Sequence, residues 1–138
     1  AGDLFAFVED SHARVTQLEG ALRSAEDALA AGATQNAQLE MTIANITATL
    51  ADFEPEVARM KQLRSQGLVE AERASYESRL DELRAERKVA SDRVQELRER
   101  LARRQAEMAE AAAEAAALAA EAAAAAEAAE AAAVGGSG

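Results

Sequence analysis

The chain of 138 residues has no cysteine, no tryptophan, one proline and only 3% aromatic residues, and each shortage removes a class of protein. Without cysteine there is no disulfide and no thiolate chemistry, and the redox compartment is left undecided. So few aromatics, with a great excess of Ala, Glu, Leu and Arg, fit a long-helix protein better than a globular core. The apolar share of 49% is largely Ala, which buries little surface per residue, so stability must come from repeated layers along a seam. A net charge of −10 argues against nucleic acid as a partner. Basic residues do cluster over 59–104, but acidic ones are interleaved with them, the pattern of i,i+4 pairs on a solvated helix face. A bilayer span needs roughly 20 apolar residues. The only candidate tract, 109–134, carries Glu110, Glu114, Glu121, Glu127 and Glu130, so no direct membrane span is expected. No signal peptide is expected either, and the start at Ala1 without Met and the Gly-Gly-Ser-Gly end look like an excised segment.

What the chain does have is a seven-residue apolar rhythm. From Leu4, alternating steps of four and three land on Val8, Ser11, Val15, Leu18, Leu22, Ala25, Leu29, Gly32, Asn36, Leu39, Ile43, Ile46, Leu50, Phe53, Val57 and Met60. A run of this length predicts a coiled-coil helix, and its 3.5-residue period predicts a left-handed supercoil. Asp3 is placed to cap the first turn. After an interruption at Leu63-Arg64-Ser65-Gln66-Gly67-Leu68-Val69, the same spacing lands on Tyr76, Leu80, Leu83, Arg87, Ala90, Val94, Leu97, Leu101, Arg104, Met108, Ala111, Ala115, Leu118 and Ala122.

The interruption reads as a turn between antiparallel helices, which makes the fold class all-α, a long two-helix coiled-coil hairpin. Gly67 in the left-handed conformation would close the first helix in a Schellman motif and set Leu68 against Leu63. Folding there brings Phe53 to Leu83 and Ile43 to Val94, and sets Arg104 opposite Gly32 and Ala111 opposite Ala25. The expected organisation is a single hairpin over 1–138: an ascending helix over 3–65, a tip turn over 66–70, a descending helix over 71–134 and a flexible Gly/Ser end over 135–138. Each arm of about 65 residues would span roughly 95 Å. Pro55 is expected to kink the first arm. Residues 31–36 are its weak point, because Gly32 costs about 1 kcal/mol relative to Ala in a helix and Asn36 puts an amide on the seam. A reversal there would give the alternative fold, a three-helix bundle broken near Gly32.

The residues offer little for catalysis. His12 is the only histidine, and a zinc site needs three or four converging ligands. Carboxylates at helical spacing, such as Glu96 with Glu99 or Glu110 with Glu114, read more simply as solvated ion-pair partners. There is no glycine-rich phosphate loop, nucleophile elbow or enclosed acid pair. Tyr76 has a seam phase and reads as core. A two-helix rod lacks the water-excluded cavity that shifts a pKa or builds an oxyanion hole. The segment is therefore read as non-enzymatic, with no cofactor and no metal.

The tip is more specific. The stretch Arg59-Met60-Lys61-Gln62-Leu63-Arg64-Ser65-Gln66-Gly67-Leu68-Val69-Glu70, with Arg73 and the repeat over 80–84, resembles the hairpin tip of HlyD-family periplasmic adaptor proteins (membrane fusion proteins), the type I secretion branch most of all. The resemblance covers about 22–108. It implies an adaptor that joins an inner-membrane transporter, through domains missing here, to a TolC-like outer-membrane channel, with neighbouring copies of the hairpin assembled side by side. In that family an Arg, a Leu four residues later and a Ser or Thr seven after that contact the channel. Arg59 and Leu63 match, whereas the third position falls on Glu70, a poorer helix cap that adds a charge. The expected partner-binding tip comprises Arg59, Leu63, Arg64, Gly67, Leu68, Val69, Glu70 and Arg73.

The function implied is the hairpin of a periplasmic adaptor in type I secretion or efflux, acting by tip docking and hairpin packing. The alternative is a coiled-coil spacer or scaffold segment of a cytoskeletal or phage-tail type, in which the turn merely reverses the chain and the location would be cytoplasmic. A globular enzyme or regulatory bundle is the third and most distant reading.

Overall fold

The structure, a computed structural model, describes residues 2–67 and 69–136. It is all-α: helix α1 runs over Gly2–Gln66 and helix α2 over Glu70–Gly136, joined by the turn that includes Gly67 and Val69. The two helices pack against each other as an antiparallel hairpin. Helix α2 continues through Gly135 and Gly136, where a flexible end was expected; Ser137 and Gly138 lie outside the described residues.

Burial follows the heptad with almost no error. Every expected seam position from Val8 to Met60 and from Tyr76 to Ala122 is buried or half-buried, and the phase continues through Ala125, Ala129 and Ala132. Leu4, at the start, is exposed. Over 8–60 and 76–132 only Glu56 and Arg79 are half-buried out of phase. Their exception has a cause: Arg79 Nη2 donates to Glu56 Oε1 across the two arms at 3.0 Å, so each shields the other.

The first helix does not break at its weak point. Through 31–36 it stays helical, and two contacts offset the local faults. The space at Gly32 is taken by Met108, whose Sδ and Cγ lie 3.4 and 3.5 Å from where a Cβ would stand. Asn36 is buried, and its Oδ1 accepts a bond from Arg104 Nε at 2.9 Å. The three-helix alternative is thereby excluded, and the expected pairing of Arg104 with Gly32 is corrected. An unbranched thioether fills the glycine gap, and the guanidinium, four residues earlier, answers the seam amide. Helix α1 also continues through Pro55, with the burial phase intact at Phe53, Val57 and Met60.

Contacts divide the chain into two units. Unit 1 is Ala1–Gln35 with Gln105–Gly138, and unit 2 is Asn36–Arg104. Unit 2 contains the apolar cluster of Val57, Leu80 and Leu83, against which Phe53 and Met60 pack, and also the buried Val94 and Leu97. In unit 1 the buried positions are Leu18, Ala115, Ala122 and Ala129. Charge divides as sharply. Unit 1 holds 12 acidic and 2 basic residues, a net −10, and unit 2 holds 13 of each, a net of zero.

Candidate functional site

The tip is built by the ends of both helices. Arg64 lies in the last turn of α1 and Glu70 and Glu72 in the first turn of α2, each sign at the helix end whose dipole it favours. Ser65 Oγ donates to the Gln62 carbonyl at 2.7 Å, a local bond back onto the preceding turn of the helix. The Gly67 amide donates to the Arg64 carbonyl at 3.4 Å, a tightened last turn.

Gly67 does not adopt the left-handed conformation; no described glycine has a positive φ. The Schellman closure is therefore not the reason for glycine here, and Leu68, its expected contact partner, lies outside the described residues. The reason is space. A Cβ on Gly67 would stand 2.8 Å from Arg73 Cγ, with the carbonyl oxygens of Arg64 and Leu63 at 3.5 and 3.6 Å. The stem of Arg73 from α2 lies across the glycine.

The start of α2 also revises the role of Glu70. The Val69 carbonyl accepts from the Arg73 amide at 3.1 Å, which puts Val69 in the capping position and Glu70 at the first helical residue. A carboxylate there completes the helix dipole and is not a failed cap.

The tip side chains separate into committed and uncommitted groups. Arg64 Nη1 donates to Glu77 Oε2 at 2.9 Å, tying the two arms together. Arg64, Glu70, Arg73, Ala74 and Glu77 line an open depression of about 370 Å³, so its rim carries two guanidiniums and two carboxylates. Arg59 and Lys61 are exposed and have no ion-pair partner among the described residues. Leu63, one turn beyond Arg59, is half-buried, and Val69 is 55% exposed. Together these leave a half-buried Leu63 and an exposed Val69 beside the charged depression, with Arg59 one turn from Leu63.

Two further surfaces, both in unit 2, have no counterpart in the sequence reading. One, of about 590 Å³, is mixed in character, lined by Leu50 and Ala51 as well as Glu54, Arg84, Lys88 and Asp92. There the hydrogen bond from Lys88 Nζ to Asp92 Oδ2, 2.8 Å long, holds the lysine pKa above its usual value. Hydrogen bonds to Glu56 first, and then to Glu82, likewise raise that of Arg79. The other, of about 550 Å³, is apolar and includes Val89 in its lining. Its signal in the sequence was a lone valine outside the seam phase, flanked at three and four residues by opposite charges.

Among the described residues no group of three or more His, Asp or Glu side chains could hold a metal ion, and no helix is long and apolar enough to cross a membrane. Comparison with known proteins finds no matching family model, no similar curated protein and no similar solved structure.

Proposed function

We propose that the chain is a non-catalytic, protein-binding hairpin whose tip docks on a partner, and that it serves as the hairpin of a periplasmic adaptor between an inner-membrane transporter and a TolC-like outer-membrane channel. The observation that carries this reading is the placing of Arg59 and Leu63 one turn apart beside a turn where Arg64 is already engaged by Glu77. A partner carboxylate would meet Arg59 with no internal pair to break, and Leu63 and Val69 would supply apolar contact next to it. Glu70, at the first turn of α2, stays compatible with docking because Arg64 and Arg73 line the same depression.

The test is export by cells that carry the complete transport system. Arg59→Asp or Leu63→Ser should abolish export while helicity and melting temperature stay nearly unchanged, and normal export by both variants would refute the docking role. The spacer reading is supported by the unbroken seam on either side of the turn. It expects neither substitution to matter.

A further inference from the structure

The apolar groove of unit 2 lies between Ile46 and Thr49 on α1 and Ala85, Val89 and Ala90 on α2. Val89 is 71% exposed, the most exposed large apolar side chain among the described residues. The α1 wall asks little of water. Thr49 Oγ1 already donates to the Asn45 carbonyl at 3.1 Å, so covering that hydroxyl strands no donor. Glu86 and Arg93 line the groove as well. They are seven residues apart, which puts them on one face of the helix about 10.5 Å from each other.

We propose that this groove is a self-association face, across which two copies of the chain pair antiparallel about a two-fold axis that passes between Val89 and Ala90. That axis is fixed by the charges. The midpoint of 86 and 93 falls between 89 and 90, so a two-fold there sets Glu86 of each copy against Arg93 of the other and Val89 of each over the partner's Ala90. In an isologous interface residue i meets j and j meets i, and here both reciprocal contacts have opposite sign. A parallel pairing of the same grooves would set Glu86 on Glu86 and Arg93 on Arg93. The competing bond of Arg93 is an exposed i,i+3 pair with Glu96 at 3.1 Å, of the kind readily exchanged. Net charge selects unit 2 as well, because a neutral unit meets its own copy without net repulsion, whereas unit 1 would bring −10 against −10.

This pairing does not rest on the tip reading, and its tests leave Arg59 and Leu63 untouched. If the tip does dock on a channel, the antiparallel pair is a stored form, since its two tips face opposite ways and must part before both address one partner.

Sedimentation velocity of the 138-residue chain should show a concentration-dependent dimer, and Val89→Glu should leave a monomer of unchanged helicity. Glu86→Arg and Arg93→Glu should each raise the dimer Kd about tenfold, and the double swap should return it to within about threefold of the starting value. Spin labels at Ser75 should lie about 45 Å apart across the pair, twice the distance to the axis along the helix. A chain that stays monomeric up to hundreds of micromolar overturns the proposal. So do single swaps that the double swap fails to rescue, and a short distance between the labels at 75.

Discussion

In unit 2 the seam closes over Leu80, Leu83, Val94 and Leu97, whereas most of the buried positions of unit 1 are alanines, at 115, 122 and 129. One heptad phase runs through both, so the difference lies in what each layer is made of. A buried Leu contributes about 1.5–3 kcal/mol and a methyl group about 0.8, so packing holds a leucine layer of unit 2 more strongly than an alanine layer of unit 1. Unit 1 has another resource: alanine is the best helix former, so its second segment is helical by local preference before any partner arrives. The charges follow the same division. Unit 2 balances its 13 acids with 13 bases and joins its arms through Arg64–Glu77 and Arg79–Glu56, while unit 1 sets Arg14 against Glu121 and leaves a net −10. Identical burial patterns can therefore conceal unequal stability. Local opening is expected to begin in unit 1.

The strongest way to break this comparison is to remove one layer from each unit. Leu83 is 1% exposed and belongs to the cluster with Val57 and Leu80, so Leu83→Ala should cost about 2–5 kcal/mol. Ala122→Gly in unit 1 removes a buried methyl and helix propensity together, and should cost about 1–2 kcal/mol. Urea unfolding measures both, and hydrogen exchange resolved by residue shows which unit opens. Equal costs would mean that the alanine layers hold as firmly as the leucine ones.

The seam was legible in the sequence because a 3.5-residue period, once phased, fixes every inward position, and the turn was legible because the phase fails there. The pairing at Gly32 was less so. A repeating seam makes neighbouring registers nearly equal in apolar burial, and what separates them here is the bond from Arg104 to Asn36 and the fit of Met108 to the glycine gap. Gly67 shows a different limit. Sequence marks it as a turn residue, but whether backbone sign or empty space demands glycine depends on where the Arg73 stem passes. Of the tip, residues and order were readable; that Arg64 is engaged and Arg59 is not depended on the position of Glu77, thirteen residues beyond Arg64 on the other arm.

A smaller effect tests the glycines against each other. Nothing stands within 4 Å of the Cβ that Gly20 would carry, so Gly20→Ala should stabilise unit 1 by about 0.5–1 kcal/mol through helix propensity alone. At Gly67 the added methyl would meet Arg73 Cγ at 2.8 Å, and Gly67→Ala should destabilise the tip unless the arginine stem moves. Melting of the two variants reads the sign directly. A gain at both positions would show that Arg73 yields freely and that the tip tolerates any small residue.

The smallest expected effect is also the one that isolates charge from packing. At about 10 mM salt the Debye length is roughly 30 Å, and at about 150 mM it is roughly 8 Å, so adding salt screens whatever long-range term dominates each unit. In unit 1 that term is repulsion among exposed carboxylates, and salt should slow its hydrogen exchange by about a few tenths of a kcal/mol in opening free energy. In unit 2 the screened terms are attractive, among them Arg79–Glu56 and Lys88–Asp92, whose hydrogen bonds raise the pKa values of Arg79 and Lys88. Salt should therefore leave its exchange unchanged or slightly faster. Opposite signs in one experiment on one molecule would assign the contrast to charge. A shift of the same sign in both units would instead trace it to general effects of salt on apolar burial, and would leave the alanine and leucine layers as the whole of the difference.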